Sequence, residues 1–419
     1  MIGTGVFTSL GYQLVDISSP FFILLLWLVG GVIALCGALS YAELSTRFPR
    51  SGGEYNFISE IFHPALGFVS GWVSAVVGFA APTALAAMTF AAYLAAAVEA
   101  TVVINQTAAA LFVVVLLAGF HVRSRAASSG VQDVFTLMKV LLIVLFCVVV
   151  AYATSENAAT GWLPALSDIA SVPPTAFAIA LIFVNYAYTG WNAATYITGE
   201  LESPQQNLPR VLIVGTASVI VLYLCLNMVF LYSTPASLMS GQIEVGVIVA
   251  RYTYGETGAL IMGLVLSLML VSTVSAMMMA GPRVLQVMGE DFSLFAWLGE
   301  RDRNGVPVRA IWGQCALTIL FILSASFEAV LLFSGFMLGM NSLFVVSGLL
   351  VVRWRDSNTT PAFLTPWFPL VPLVFIAITT ATLGYIAASR PVEVLAGVCV
   401  LVVGFLAYAI TVKFDSAKT

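Results

Sequence analysis

Eleven apolar runs, each close to the length of about 20 residues that crosses a hydrocarbon core, decide what this chain can become. They occupy residues 21–42, 66–98, 106–120, 131–153, 174–198, 211–232, 258–287, 310–324, 329–352, 367–388 and 392–412. Lipid offers the backbone no hydrogen-bond partners, so runs of this length are satisfied as helices, each closing its own ladder of bonds. A twelfth apolar stretch, the first ten or so residues, is helix-like but too short to cross. Composition agrees, with 60% of the 419 residues apolar and 9% charged, where a soluble domain carries roughly a quarter. The connections are short and hold no soluble domain, so residues 1–419 form a single all-α, polytopic membrane domain.

The charge excludes several function classes. A net charge of -4 leaves no basic surface to track phosphates, so nucleic acid is not a partner. Cys36, Cys147, Cys225, Cys315 and Cys399 each lie in an apolar run and read as small buried hydrophobes, with no metal or disulfide framework. His63 and His121 form no ligand-spaced pair, and neither metal nor cofactor is expected. An intramembrane enzyme needs paired aspartates or a histidine at membrane depth, and the runs offer neither. Orientation follows from Lys and Arg, which cytoplasmic connections retain. With the segment before residue 21 emerging outside, thirteen of the sixteen basic residues face inward, from Arg47 and Arg50 to Lys413 and Lys418. Arg251 and Arg390 fall outside and Lys139 lies within a run. The C-terminus is then cytoplasmic, in a cytoplasmic membrane. Met1 is followed by no basic region and no small-residue cleavage site, so no cleaved signal peptide is expected.

Two places break the helical pattern. Ile2-Gly3-Thr4-Gly5-Val6-Phe7 sets two glycines around a hydroxyl, and Asn185-Tyr186-Ala187-Tyr188-Thr189-Gly190-Trp191-Asn192 lies in the middle of the sixth span, counting the fragment as the first. Unwound backbone at membrane depth is tolerated where it lines a cavity or is buried in protein. Interruptions at the first and sixth positions point to an inverted-repeat transporter with its site at the midplane, the repeats covering approximately 1–153 and 174–352. N–H groups at a half-helix start bind a carboxylate, and freed carbonyls at the other half-helix end bind an ammonium, which suits a zwitterion. The plainer alternative is that these glycines only let helices approach. Gly3-Thr4-Gly5 is no dinucleotide fingerprint, because Thr8 takes the third glycine's place and no strand precedes it. A phosphate-binding GxxxxGK motif is absent, which disfavours an ATP-driven pump subunit.

The stretch from Gly30 to Leu44, continuing through Phe48-Pro49-Arg50-Ser51-Gly52-Gly53-Glu54-Tyr55, resembles the second span and following loop of the amino acid/polyamine/organocation transporter superfamily. Within it, the amino acid permeases and light-chain-type exchangers are closest. Val131 to Thr136 with Lys139 resembles the start of that family's fifth span, and Gly190-Trp191-Asn192 with Glu200 and Asn207-Leu208-Pro209-Arg210 resembles its sixth. The resemblance implies a five-plus-five inverted-repeat fold with two further helices over about 367–412. It puts Gly3, Thr4 and Gly5 at the substrate carboxylate, and the carbonyls of Ile2, Tyr186 and Thr189 at its ammonium. Tyr186 takes the aromatic position that gates the site from outside, with an ordinary core aromatic as the alternative. Ala187, Tyr188 and Gly190 line the unwound stretch, and Ser275 in the eighth span faces the cytoplasmic side of the site.

Two features stand apart. Family members have a tail and half a helix before the Gly-x-Gly motif, whereas this chain starts at Met1. Either the start codon is misassigned or the first helix is truncated at its N-terminal side, which bears on the inner gate. Lys139 lies eight residues into its run, on the order of 12 Å from the end. Either it snorkels to the interface, or it stands in for the sodium ion of related folds, bridging first-span carbonyls and a hydroxyl such as Ser275. An ammonium buried there that released its proton during the cycle would couple transport to pH. Glu43 and Glu200 sit at cytoplasmic span ends, solvated or paired with a nearby arginine. The expected activity is secondary transport of small, neutral L-amino acids by proton symport or exchange, with amino acid, lipid and protons as partners and the oligomeric state open. Alternatives are a cationic amino acid or polyamine exchanger and a non-transporting sensor.

Overall fold

A computed structural model describes residues 1–98, 103–123, 128–154, 173–356 and 361–416. Arg125 and Lys418, and the side chains of Val131, Gln132, Asp133 and Glu200, lie outside the described residues. Every regular element among the described residues is helical. Among the described residues, nine helical stretches are long and apolar enough to cross a membrane, and Val308–Ser324 is a shorter apolar helix.

The first helix, α1 (Gly5–Asp16), spans 12 residues, about 18 Å at 1.5 Å per residue and short of a full crossing. Next come α2 (Pro20–Arg47), α3 (Glu54–Ile61), α4 (Pro64–Val73), a π-helical turn (Ser74–Phe79), α5 (Ala80–Val98), α6 (Gln106–Arg123) and α7 (Ser128–Ala153). Proline opens α2 and α4, where its missing N–H costs nothing and its fixed φ suits the first turn. The third span is therefore one continuous path with a π-helical turn in its middle, a local widening common at functional sites. Short α3 lies in the connection between the second and third spans.

Next comes α8 (Pro174–Tyr188), which stops inside the run 174–198. Thr189 is extended, Gly190 takes φ +90°, and the chain resumes as a tight 3-10 helix (Ala193–Glu200). That left-handed φ suits a residue without Cβ, and it ends the helix inside the stretch that the sequence marks as interrupted. Then follow α9 (Pro204–Ser233), α10 (Ala236–Met239), α11 (Val245–Ala280), α12 (Pro282–Asp291), a 3-10 turn (Ser293–Phe295), α13 (Ala296–Gly299), α14 (Val308–Ser324), α15 (Phe327–Arg355), α16 (Leu370–Ser389) and α17 (Pro391–Ser416). The eighth span starts earlier than its apolar run, at Val245, with a break at Gly255.

One large apolar cluster joins α1, α2, α8 and α9 around fully buried Trp27, Tyr188 and Tyr223. A second unites the π-helical turn and α5 with α15 through Val77, Leu85, Leu331 and Met337. Large apolar side chains left outward on α7, such as Leu137, Leu141 and Leu145, and on α17, such as Leu395 and Val402, form the faces that hydrocarbon would cover.

Candidate functional site

The two interrupted segments meet. A Cβ built on Gly5 would lie 2.3 Å from the Ala187 Cα, so α1 and α8 touch backbone to backbone. Gly3 and Thr4 form a bend before α1, and the N–H groups of Gly5 and Val6 sit in the first turn, where a helix has no acceptor of its own. The Thr4 side chain does not cap that turn. It faces the Tyr186 hydroxyl at 3.4 Å, and Thr8 Oγ1 donates to the Thr4 carbonyl at 3.1 Å. Ser9 Oγ donates to the Phe183 carbonyl at 2.9 Å, pinning α1 along α8.

At the α8 end, Thr189 N–H and Oγ1 both donate to the Tyr186 carbonyl, at 2.9 and 2.7 Å. That carbonyl is thus already engaged, while those of Ala187 and Tyr188 lie at the helix end, past the last intrahelical donors. Tyr188 is buried and its hydroxyl donates to the Trp27 carbonyl at 3.1 Å. A Cβ on Gly190 would come within 3.2 Å of the Met1 backbone. The ends of the two short helices therefore offer N–H groups from one and carbonyls from the other, with partial charges of opposite sign.

Beside them lies a cavity of about 100 Å³. Ile33, Phe79, Pro82, Ile182, Leu338 and Phe375 form its apolar walls, and Asn185, Tyr186, Thr189, Asn192, Tyr196 and Ser342 supply polar atoms. A mostly apolar enclosure with a few convergent polar groups is the ordinary form of a small-molecule site.

Lys139 on α7 is 6% exposed. Its Nζ donates to Thr273 Oγ1 on α11 at 2.9 Å. The Thr273 methyl in turn stands 3.2 Å from where a Cβ on Gly3 would be, and Lys139, Thr273, Ile2 and Gly3 share a small void. The ammonium is thus turned inward against the first segment, whereas snorkelling would carry it to an aqueous interface. Its hydroxyl partner is Thr273, where the sequence suggested Ser275. Ser275 is hydrogen-bonded to His121 on α6 at 2.9 Å. Two residues along a helix turn about 200° around its axis, so only one of these positions can face α7.

Sequence reasoning missed Glu54. Its carboxylate is 1% exposed, and Oε1 accepts from Tyr41 Oη at 2.6 Å, Asn192 Nδ2 at 2.9 Å and Ser342 Oγ at 3.2 Å. Asn341 Nδ2 donates to Oε2. Burial pushes the carboxyl above its ordinary range, and hydrogen bonds from Tyr41, Ser342 and Asn192 partly offset that. A glutamate in a connection between spans reads as solvated, and the Gly52-Gly53 pair before it was the available hint. Glu43 does pair with arginine, accepting from Arg353 twice at 2.7 Å, from Arg47 at 3.0 Å and from the Thr365 N–H at 2.9 Å. Arg353 also stacks on Phe368, 4.5 Å from the ring centre.

Residues 1–409 match the model of the amino acid permease family. The large neutral amino acids transporter small subunit 2 of Rattus norvegicus is 27% identical over 433 residues, covering 99% of this chain and 78% of that protein. The b(0,+)-type amino acid transporter 1 of Mus musculus is 26% identical over 395 residues, with 90% and 78% covered. The Asc-type amino acid transporter 1 of Mus musculus is 25% identical over 417 residues, with 96% and 77% covered.

Proposed function

This chain belongs to the amino acid permease family, and from that premise we propose that it carries small, neutral L-amino acids across a cytoplasmic membrane by alternating access. The observation that carries this reading is the contact of Gly5 with Ala187, which sets the start of α1 beside the end of α8. The N–H groups near Gly3, Thr4 and Gly5 take the carboxylate, and the carbonyls of Ile2, Ala187 and Tyr188 take the ammonium. Tyr186, hydrogen-bonded to Thr4, covers the site, and the cavity beside it receives the side chain.

Neutrality is supported by the cavity walls, since the carboxylate behind Asn192 and Ser342, that of Glu54, is itself enclosed by donors. A cationic side chain would have to displace those donors or leave its charge unpaired in an apolar space, at a cost of several kcal/mol. A second reading has one observation in its favour: Asn192 and Ser342 both line the cavity and touch Glu54, so a carboxylate stands directly behind the wall that a long cationic side chain would meet. The halves 1–153 and 174–352 are proposed as inverted repeats, with the C-terminus on the side of Arg47 and Arg353.

The deciding experiment is uptake of radiolabelled amino acids into proteoliposomes, with and without a pH gradient. Alanine, serine or leucine should be carried and should compete best. Stronger competition by arginine or putrescine would replace this reading with the cationic one. Saturable binding without flux would replace it with a sensor.

A further inference from the structure

The Glu54 carboxylate sits on a seam. Tyr41 comes from α2 and Asn192 follows α8, on the side of the large cluster around Trp27 and Tyr188. Asn341 and Ser342 belong to α15, on the side of the cluster around Val77 and Met337. Ser74, in the π-helical turn, joins from the same side: it hydrogen-bonds Tyr196 at 2.9 Å and accepts from Asn341 at 3.4 Å. Four neutral donors from three other elements therefore converge on one buried carboxylate. Apolar surfaces that pack by shape slide or separate with little directional preference, whereas a hydrogen-bonded charge is either in place or not. Two of the four donors, Asn192 and Ser342, are also walls of the substrate cavity. Any motion that widens the cavity between α8 and α15 must pull donors off Glu54.

We propose that Glu54 is a positioning residue that latches the cavity wall shut, and that release of its carboxylate from Asn192 and Ser342 is the step that opens the cavity toward the side of Arg47 and Arg353. The inference rests on the transport reading for its meaning, though the latch itself is a property of the fold. Its chemistry fits a reversible lock. The carboxylate in place is fully supplied with donors, and out of place it meets water, so neither state strands a bare charge. The titratable groups facing it are Tyr41 from α2 and Tyr196 from the 3-10 helix; α15 and the π-helical turn present only the neutral amide and hydroxyls of Asn341, Ser342 and Ser74.

The test uses the full chain in liposomes, freed of its five cysteines, with a reporter thiol at the cavity wall, Ala193→Cys. Labelling by a water-soluble maleimide reports opening and needs no substrate, so it stands whether or not an amino acid is carried. Glu54→Ala should raise the labelling rate about tenfold, the factor expected when a hydrogen-bonded charge no longer biases two states. Glu54→Gln, which keeps one acceptor oxygen and the neutral shape of the protonated carboxyl, should stay close to the wild-type rate. Bound substrate should still protect the thiol in each variant, while the exchange rate drops. Tyr41→Phe removes one donor outside the cavity and serves if Glu54→Ala is not recovered folded; a rise of about threefold is expected. Unchanged labelling in folded Glu54→Ala or Tyr41→Phe overturns the latch. Wild-type protein that carries no amino acid overturns the transport reading, and the labelling result is unaffected.

Discussion

Gly5 and Ala187 leave no space for a side chain between them: a Cβ on Gly5 would reach to 2.3 Å from the Ala187 Cα and 2.7 Å from its Cβ. The obstacle is backbone, which cannot swing aside as a long side chain does. Gly5→Ala should therefore push α1 off α8, costing about 1–3 kcal/mol as overpacked sites do. Displacement of both binding termini should lower exchange at least about tenfold. Gly215→Ala, in the middle of α9 with open space around it, is the control and should leave exchange unchanged. Parallel measurement of melting temperature and exchange decides it, and a fully active Gly5→Ala would remove the close contact from the mechanism.

The two breaks were legible because glycine and hydroxyl residues in apolar surroundings, at Gly3-Thr4-Gly5 and Thr189-Gly190, conflict with continuous helix. Lys139 was legible for a similar reason, as a basic residue set well inside an apolar run. Its partner was not, since the choice between Thr273 and Ser275 turns on the rotation of α11 against α7, which apolar periodicity on an all-round hydrophobic helix does not encode. Glu54 was invisible for a stronger reason. Its donors come from positions 41, 192, 341 and 342, so only the packed chain brings them together.

Glu43 is fully buried and holds Arg353 and Arg47 at the end of α2. Removing one member of a buried charge group strands the others, at about 3–5 kcal/mol, whereas replacing the pair by apolar groups is far milder. Glu43→Ala should thus melt well below the wild type, and Glu43→Ala combined with Arg353→Met should recover part of the loss. A Glu43→Ala protein with unaltered melting would show that the cluster is dispensable.

Glu54 sets the sign of a pH effect. Burial raises its carboxyl above the ordinary range in the latched state, while in an opened state the carboxyl meets water and titrates near its usual value of about 4.3. The latched state thus binds the proton more tightly, so acid favours it. As pH rises from the ordinary value through the raised one this advantage is lost, and above the raised value nothing further changes. The Ala193→Cys labelling rate, divided at each pH by that of the Glu54→Gln form, should climb with pH and then level off. A ratio that is flat, or that falls, contradicts the assigned sign.

Lys139 and Thr273 make the most direct test of how transport is powered. The Lys139 ammonium donates to Thr273 Oγ1 at 2.9 Å, and the methyl of the same threonine faces Gly3. A fixed positive charge is therefore held one side chain away from the first segment, in the kind of place where a mobile cation would otherwise neutralise backbone carbonyls. Lys139→Ala should abolish uptake or slow it at least about a hundredfold, with yield and melting temperature little changed, because truncating the side chain removes the charge and strands only a hydroxyl. Thr273→Val keeps the shape and removes the acceptor, so uptake should fall about tenfold, as for loss of a hydrogen bond to a charged group. Thr273→Ser should restore most of it. Ser275→Ala should matter little, since that hydroxyl meets His121. Wild-type uptake should proceed without sodium. If sodium is required, or if Lys139→Ala transports normally, the ammonium does not replace a coupling ion; if Ser275→Ala is as damaging as Thr273→Val, the hydroxyl that matters is the other one.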